Sequence, residues 1–268
     1  KYNTCIKKII DFEDKHLFDA ITNTVIIITK KGYEKNNTLL SSNNVKSEQD
    51  TSINQDELDE LAWTLANENI IKIKEKIEIA GIPLKEFDVE INRGLLTGFN
   101  EAFVINEEMK VSFCEEDSES KKIMKPIIKG RDIEKYHHRL TNTWIINSHN
   151  GYSINSKTIP PVDVKKNHPI IFKYLEKINK QSNGKLAGRA DRGKHWTNLR
   201  NCAFLHKFSN EKIIWIELTN ENRFAFSNNE EYLLAGAFFM IGKSLKYLIA
   251  FLNSPICKFY FKLICNSS

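Results

Sequence analysis

The sequence predicts a mixed α/β (α+β) fold with a β-rich core and flanking helices. Short apolar, β-branched runs bounded by Gly, Pro, Asn or Ser recur along the chain and predict strands. In other stretches Leu and Ile recur every three or four residues, which predicts helices. The chain has 268 residues, of which 41% are hydrophobic, so it can bury a sizeable core.

The N-terminal part is predicted to differ from the rest of the chain. Apolar runs at 6–12 and 24–29 predict strands, and so few strands cannot bury their faces alone. Residues 1–33 are therefore expected to be the end of a larger sheet. Residues 34–54 have the Asn-, Ser-, Lys- and Glu-rich composition of a linker. Residues 55–83 are expected to be connecting helices, because Leu and Ile recur there at helical spacing.

Residues 84–268 are expected to form one domain. It opens with a strand, a turn and a second strand over Ile91–Ile105, where Gly94 and Gly98 shape the turn. The helix predicted last in the chain is expected to kink at Pro255. The further elements predicted in this domain are strands at 126–128, 144–146, 212–216 and 224–226, and helices at 169–180 and 245–261.

Charge is distributed unevenly along the chain. Residues 121–200 hold 18 Lys and Arg residues against 5 Asp and Glu residues, whereas the remainder holds 21 against 29. A concentrated positive region is typical of proteins that bind a polyanion, which makes nucleic acid the favoured partner. The alternative is a solvated basic surface that has no such partner.

The composition also indicates a cytoplasmic protein. The five cysteines are odd in number and widely spaced, which argues against disulfides or a zinc site and favours reduced thiols. The N-terminal residues lack the apolar core of a signal peptide. The longest apolar run, 233–242, is about half the length of a membrane span and is expected to be core, so no membrane partner is predicted.

The usual catalytic and cofactor motifs are absent from the sequence. It has no phosphate-binding Gly-x-x-x-x-Gly-Lys-Ser/Thr loop, no Gly-x-Gly-x-x-Gly, no His-Glu-x-x-His and no Gly-x-Ser-x-Gly. Glu-x-Lys tripeptides at 13–15 and 119–121 lack an Asp on a preceding strand, so a nuclease remains only a weaker alternative. No catalytic, cofactor-binding or metal-binding residue is assigned.

Residues 189–200, here called the cationic segment, are the most basic and aromatic part of the chain. Arg and Lys side chains neutralise phosphates or contact guanine, and Trp196 either stacks on a base or, as favoured here, anchors the core. Arg131 could instead pair with Asp132. The ten candidate DNA-binding residues are Arg93, Thr97, Lys125, Lys129, Arg131, Arg189, Arg192, Lys194, His195 and Arg200.

Several of these segments together resemble one family. Lys125–Ile133 resembles the Pro-x-x-x-Gly-Arg-Asp-Ile signature of the TaqI-like C-terminal specificity domain, which occurs in adenine-specific DNA methyltransferases and type IIG restriction–modification enzymes. The cationic segment resembles the family's Arg…Gly…Trp…Leu-Arg signature, although Thr197 stands where an aromatic residue is common. Three further segments resemble, in order, the last methyltransferase strands, the opening of the specificity domain and its late helix: Ile9–Ile28, Ile79–Ile105 and Tyr247–Ser254.

The resemblance implies a domain that reads a DNA sequence and positions a target adenine for a catalytic domain outside this chain. It makes residues 1–33 the tail of a methyltransferase domain, 34–54 a linker, 55–83 connecting helices and 84–268 the target recognition domain. The implied partners are double-stranded DNA and the methyltransferase domain of the same polypeptide. S-adenosylmethionine, with magnesium as a further candidate, would be bound by the parent enzyme.

The chain lacks the family's catalytic signatures, so it resembles a fragment. The Asn-Pro-Pro-Tyr type of tetrapeptide that holds a flipped adenine is missing, as is the Gly-containing loop for S-adenosylmethionine. The parent enzyme is expected to be a site-specific adenine methyltransferase, and whether it also cuts DNA stays open. The alternative is a protein-interaction module of a restriction or phage-defence complex that does not read DNA directly.

Overall fold

The computed structural model describes residues 4–12, 24–43, 45, 50–58, 63, 65–140, 142–219 and 221–265. The chain divides into two compact units. The first contains Lys1–Pro83 and Pro255–Ser268, and the second contains Leu84–Ser254. Both contain helices and strands, which confirms the mixed α/β prediction. No helix within the described ranges is both long enough and apolar enough to cross a membrane.

The first unit is built on a four-stranded sheet of order β2-β1-β3-β4. Strand β1 pairs antiparallel with β2 and parallel with β3, and β3 pairs antiparallel with β4. Among the described residues of this unit, Ile9, Leu39, Ile53 and Leu58 pack together as one buried cluster. The four strands are β1 (Thr4–Asp11), β2 (Val25–Lys31), β3 (Thr38–Ser42) and β4 (Thr51–Asn54).

Residues 34–54 are not the unstructured linker that their composition predicted, because this range contains β3 and β4. Leu39 and Ile53 face each other in the strand register and are both buried. Polar residues that resemble linker composition are also part of this interior. The side-chain amide of Asn37 donates to Gln55 Oε1 over 2.7 Å, and both residues are buried.

Two helices complete the first unit, α1 (Glu68–Ala80) and α7 (Pro255–Ile264). Part of the range 55–67, where a further helix is expected, lies outside the described residues. Helix α1 begins at Glu68, where Asn67 caps it through a 3.0 Å bond from Ile70 N–H to Asn67 Oδ1. Helix α7 contacts α1, and the Tyr260 hydroxyl donates to Glu78 over 2.9 Å. The second unit covers Leu84–Ser254, whereas the recognition domain is expected over 84–268.

The second unit contains two four-stranded sheets and a short hairpin, with orders β12-β11-β14-β5, β13-β7-β8-β6 and β10-β9. Its helices are α2 (Asn100–Phe103), α3 (Glu107–Glu116), α4 (Val164–Asn167), α5 (Pro169–Gln181) and α6 (Leu245–Leu252). The strands are β5 (Val89–Arg93), β6 (Val104–Asn106), β7 (Met124–Ile128), β8 (Thr143–Ile146), β9 (Tyr152–Ile154), β10 (Lys157–Ile159), β11 (Lys212–Ile216), β12 (Ala225–Ser227), β13 (Tyr232–Leu233) and β14 (Ala237–Gly242).

A large hydrophobic core lies within the second unit, and its largest fully buried side chains include Phe103, Phe208 and Phe239. The predicted strands at 126–128, 144–146 and 212–216 and the helix at 169–180 are confirmed as β7, β8, β11 and α5. Residues 233–242, expected to be core, contain the end of β13, the turn after it and β14, and half of them are buried. Helix α3 was not predicted, because its few apolar residues, Met109, Val111, Phe113 and Cys114, lie among charged ones and give no clear helical period.

The long helix predicted over 245–261 is instead two helices, α6 and α7, and they fall in different units. Asn253 ends α6 and is almost fully buried. Its side-chain amide donates to Phe224 O over 2.8 Å and its Oδ1 accepts from Phe224 N–H over 3.1 Å. Pro255 then opens α7, because proline fits the first turn of a helix better than its interior.

Candidate nucleic-acid interface

The antiparallel pair of β7 and β8 sets the positions of the basic segments. Met124 pairs with Ile146 and Pro126 pairs with Trp144. Residues 147–150, which follow β8, therefore lie beside the start of β7. Residues 129–132, which follow β7, lie beside the start of β8. A five-residue strand spans roughly 17 Å, so these two segments stand at opposite ends of one sheet.

The cationic segment is fastened to the 147–150 end of this sheet. Asn198 is buried, and its side-chain amide donates to Val162 O over 2.8 Å and to Ser148 O over 3.3 Å. Asn198 Oδ1 accepts from His195 N–H over 2.9 Å. The Lys194 N–H donates to Asn150 Oδ1 over 2.7 Å. These hydrogen bonds fix the conformation of the cationic segment on the residues that follow β8.

Arg189 is one of the residues that fix this conformation. Its position does not fit the expectation that it contacts DNA. Its side chain is 6% exposed. The guanidinium donates to the backbone carbonyls of four residues, over 2.7–3.2 Å: Leu186, Thr97, Trp196 and Asn198. It also lies 3.8 Å from Asp191 and over the ring of Phe103. With its donors used in this way, Arg189 holds the loop together.

Thr97 is 2% exposed, a burial that does not fit the phosphate contact expected of its side chain. Its hydroxyl donates to Asn100 Oδ1 over 2.6 Å and accepts from Phe99 N–H over 3.1 Å, which shapes the start of α2. Gly98 follows with φ +80°, and a Cβ there would lie 2.4 Å from Arg189 Nη1. Only glycine fits both the backbone conformation and this close approach.

The other candidates of the cationic segment remain accessible. Arg192, Lys194 and Arg200 are exposed, and His195 is half-buried. One Arg192 nitrogen donates to Ala187 O over 2.6 Å, and the Arg200 guanidinium lies 3.8 Å from Asp191. These contacts position the two guanidinium groups without burying them.

Trp196 packs on Phe172, with ring centroids 5.7 Å apart, so the prediction that it anchors the core is confirmed. It is partly buried against the same core as α5. The tryptophan of this segment is therefore an anchor, and the base-stacking alternative does not fit its position.

The remaining candidates lie on β5 and β7 or beside them. Arg93 is exposed at the end of β5, opposite Phe238 of β14. Lys125, at the start of β7, donates to Glu230 over 2.9 Å. Lys129 is half-buried and Arg131 is exposed. Their contact with DNA stays a prediction.

Arg131 is not held by its neighbour. Among the ion pairs of the described ranges none joins Arg131 to Asp132, so the loop-stabilising alternative is not supported. Residues 132–139, here called the Tyr136 hairpin, follow directly. The Arg139 N–H donates to Asp132 O over 2.9 Å and the Glu134 N–H donates to His137 O over 3.0 Å.

The Tyr136 hairpin was missed by the sequence reasoning. It exposes Lys135, Tyr136, His137 and Arg139 to solvent. The density of basic and aromatic residues directly after the Gly-Arg-Asp-Ile motif is the signal that could have found it.

A cavity of about 410 Å³ lies at the end of the sheet that carries the cationic segment. Lys122, Lys125, Asn147, His149 and Tyr152 are among the residues that line it. Burial lowers the pKa of His149 below its usual value, so its imidazole is neutral near pH 7. Glu230 also lines the cavity and pairs with Lys125 over 2.9 Å, which leaves Lys122 as the lining lysine without a carboxylate partner inside the cavity.

Comparisons with known proteins identify the family. The family model of the TaqI-like C-terminal specificity domain matches residues 125–268. The type II methyltransferase M.MjaIV of Methanocaldococcus jannaschii is 24% identical over 180 residues, which are 64% of this chain and 56% of M.MjaIV. The chain thus spans about half the length of this relative.

A solved structure shows the same fold. The type IIL restriction–modification enzyme MmeI, solved in complex with DNA, matches with a TM-score of 0.55 at 10% identity, over 94% of this chain and 31% of the MmeI chain. The type IIG restriction endonuclease BpuSI matches with a TM-score of 0.46 at 13% identity, over 98% of this chain and 34% of its own.

The resemblance seen in the two signature segments is therefore confirmed by an independent match that begins at Lys125 and includes both of them. The matched residues make up more than half of the sequence. The chain belongs to the family of TaqI-like C-terminal specificity domains.

Proposed function

We propose that this chain is the DNA-recognition part of an N6-adenine-specific DNA methyltransferase or of a fused type IIG restriction–modification enzyme. The observation that carries the proposal is the cationic segment, whose buried Arg189 and Asn198 hold a loop that exposes Arg192, Lys194 and Arg200. A fixed loop that presents cations is suited to a rigid polyanion such as duplex DNA.

The basic residues at the two ends of the β7–β8 pair suggest two kinds of contact with DNA, one to phosphates and one to base edges. Exposed Lys and Arg groups give salt-dependent affinity through phosphates, and a few side chains in a groove read base edges. Because Arg131 and the cationic segment stand at opposite ends of the sheet, they would meet different parts of the bound duplex. Deformation of that duplex would let an adenine swing out toward a catalytic pocket.

The catalytic domain would lie outside this chain and would bind S-adenosylmethionine there. Strand β2 supports a continuing sheet, because it is an edge strand of the first unit and Val25, Ile26, Ile27 and Ile28 are each 42–54% exposed. An apolar edge of this kind is a template for pairing with a further strand. We propose that the methyltransferase sheet of the same polypeptide covers it.

The proposal is tested by selecting bound sequences from a pool of randomised duplexes with the full chain. Enrichment of one sequence family is expected, together with a steep loss of affinity for random duplex as salt rises. A chain that retains no duplex at low salt would contradict DNA recognition. If that chain still bound a partner subunit, the interaction-module alternative would take its place.

A further inference from the structure

The tip of the Tyr136 hairpin has an unusual backbone. Tyr136 has φ +72°, in the left-handed region. The other non-glycine residues with positive φ in the described ranges are Asn36, Asn155, Asn183, Ser156 and Ser244. Asn tolerates this conformation because its short polar side chain can bond locally, whereas a bulky aromatic residue there is an outlier.

Backbone contacts within the fold explain why residue 136 has a left-handed conformation, but they do not explain why this residue is a tyrosine. The Tyr136 N–H donates to Phe224 O over 2.8 Å, and the Phe226 N–H donates to Tyr136 O over 3.2 Å. These two bonds fasten the hairpin tip to β12 and hold the backbone in place. An asparagine or a glycine could make both bonds with less strain.

Packing does not compensate for the strain either, because Tyr136 is 52% exposed. Half of its surface faces solvent, while its backbone is held at both its N–H and its carbonyl. Strained residues that persist in this way cluster at ligand-binding and active sites. We infer that the ring is kept at this position by a contact outside the fold.

The charges around the ring indicate the ligand. Arg131, Lys135 and Arg139 are exposed along the hairpin and its approach. The acidic residues of the hairpin are less exposed, and Glu134 accepts from Arg139 over 3.5 Å. A projecting aromatic ring among cations is the arrangement that proteins use to stack on a nucleobase while binding the adjacent phosphates.

We propose that Tyr136 is a base-stacking residue, whose ring packs against a nucleobase exposed at a deformed or unpaired step of bound DNA. This proposal rests on the proposed function, since it names the part of the DNA that one residue contacts. The rigid hairpin would let the ring enter the stack with little loss of conformational freedom, and the neighbouring cations would hold the backbone on either side.

The test compares four full-length chains: wild type, Tyr136→Asn, Tyr136→Phe and Tyr247→Ala. Tyr247 is exposed on α6 of the same unit and serves as the control for loss of an exposed tyrosine. The probe is a random-sequence duplex with one bulged 2-aminopurine, beside the same duplex fully paired. Affinity, 2-aminopurine fluorescence and the urea midpoint of unfolding are measured.

Tyr136→Asn is expected to bind the bulged duplex roughly tenfold more weakly, because base–aromatic stacking has about that effect. It should leave the bulged base unquenched, and its unfolding midpoint should equal or exceed that of wild type. Tyr136→Phe should keep the ring contact, and Tyr247→Ala should behave as wild type. The salt dependence should not change, because the ring carries no charge.

Equal binding and quenching by wild type and Tyr136→Asn would overturn the stacking proposal and leave DNA recognition standing. A lower unfolding midpoint for Tyr136→Asn would also overturn it, because the side chain would then be structural. A wild-type chain that binds neither duplex would contradict both proposals, and a protein partner for the ring would become the explanation.

Discussion

At the scale of single residues, two arginines three positions apart have opposite roles. The Arg189 side chain is buried and donates to four backbone carbonyls, whereas the Arg192 side chain is exposed and donates to one backbone carbonyl. In the sequence they are nearly equivalent members of one basic segment. One of the four carbonyls belongs to Thr97, which accepts from Arg189 across 92 residues of chain. Such a long-range contact cannot be inferred from local composition.

This difference gives a paired prediction. Arg189→Ala should lower the urea midpoint of unfolding, because each buried carbonyl left without its donor costs about 1–3 kcal/mol. Arg192→Ala removes the same charge but no buried donor, so its midpoint should stay near that of wild type. Tryptophan fluorescence during unfolding measures both. Equal midpoints for the two variants would contradict the structural role of Arg189.

The exposed arginines allow a binding prediction. Arg131→Ala and Arg192→Ala should each weaken binding to random duplex DNA several-fold and reduce the salt slope by about 1 if each contacts a phosphate. Because the two residues stand at opposite ends of one sheet, the effects of the double variant should add. Lys72→Ala, on α1 of the first unit, is the control that removes one charge elsewhere. Normal binding by both variants would place DNA on another face.

At the scale of elements, strand β11 carries an unusual buried charge. Lys212 is fully buried, and its ammonium donates to the carbonyls of Phe208, Asn210 and Asn229 over 2.7–3.3 Å. Burial lowers the pKa of Lys212 from 10.5 to about 8. Its three bonds tie the segments on either side of β11 together, so the lysine fixes where the strand begins.

The lowered pKa predicts how stability depends on pH. Between pH 8 and pH 10.5 the unfolded chain binds a proton that the folded chain has released from Lys212. The folded state is therefore favoured more strongly as pH rises through this window, and the contribution is lost as pH falls toward 8. The stability of wild type relative to Lys212→Met should accordingly increase from pH 8 to pH 10. A constant difference across this window would contradict the assignment.

Helices and strands were predictable from the sequence where apolar residues recur at helical spacing or form a continuous run. Strand β11 and helix α5 follow directly from Lys212–Ile216 and from the apolar face that contains Ile171 and Leu175. Strands β3 and β4 were missed because they are short and because buried polar residues, such as Asn37 and Gln55, resemble linker composition. The sequence indicated which segments carry the candidate site but not which of their side chains are exposed, since the exposure of each side chain depends on tertiary contacts.

At the scale of the whole molecule, the exposure of β2 is the observation behind the proposed pairing of the first unit with a further sheet. Its run Val25–Ile28 is β-branched without alternation, which is typical of a strand covered on both faces. In the structure every residue of β2 is exposed. Pairing with the methyltransferase sheet, as proposed above, would cover its edge, and a layer packed on that sheet would cover its faces.

This exposure predicts that the isolated chain self-associates through β2. Ile27→Lys should shift the chain toward monomer, because an added charge on an edge strand opposes edge-to-edge pairing. Ile79→Lys makes the same substitution at an exposed position of α1 in the same unit and should leave the association state unchanged. Sedimentation velocity over a range of concentrations measures both. A wild-type chain that stays monomeric at high concentration, or an equal shift by both variants, would show that β2 is not the associating edge.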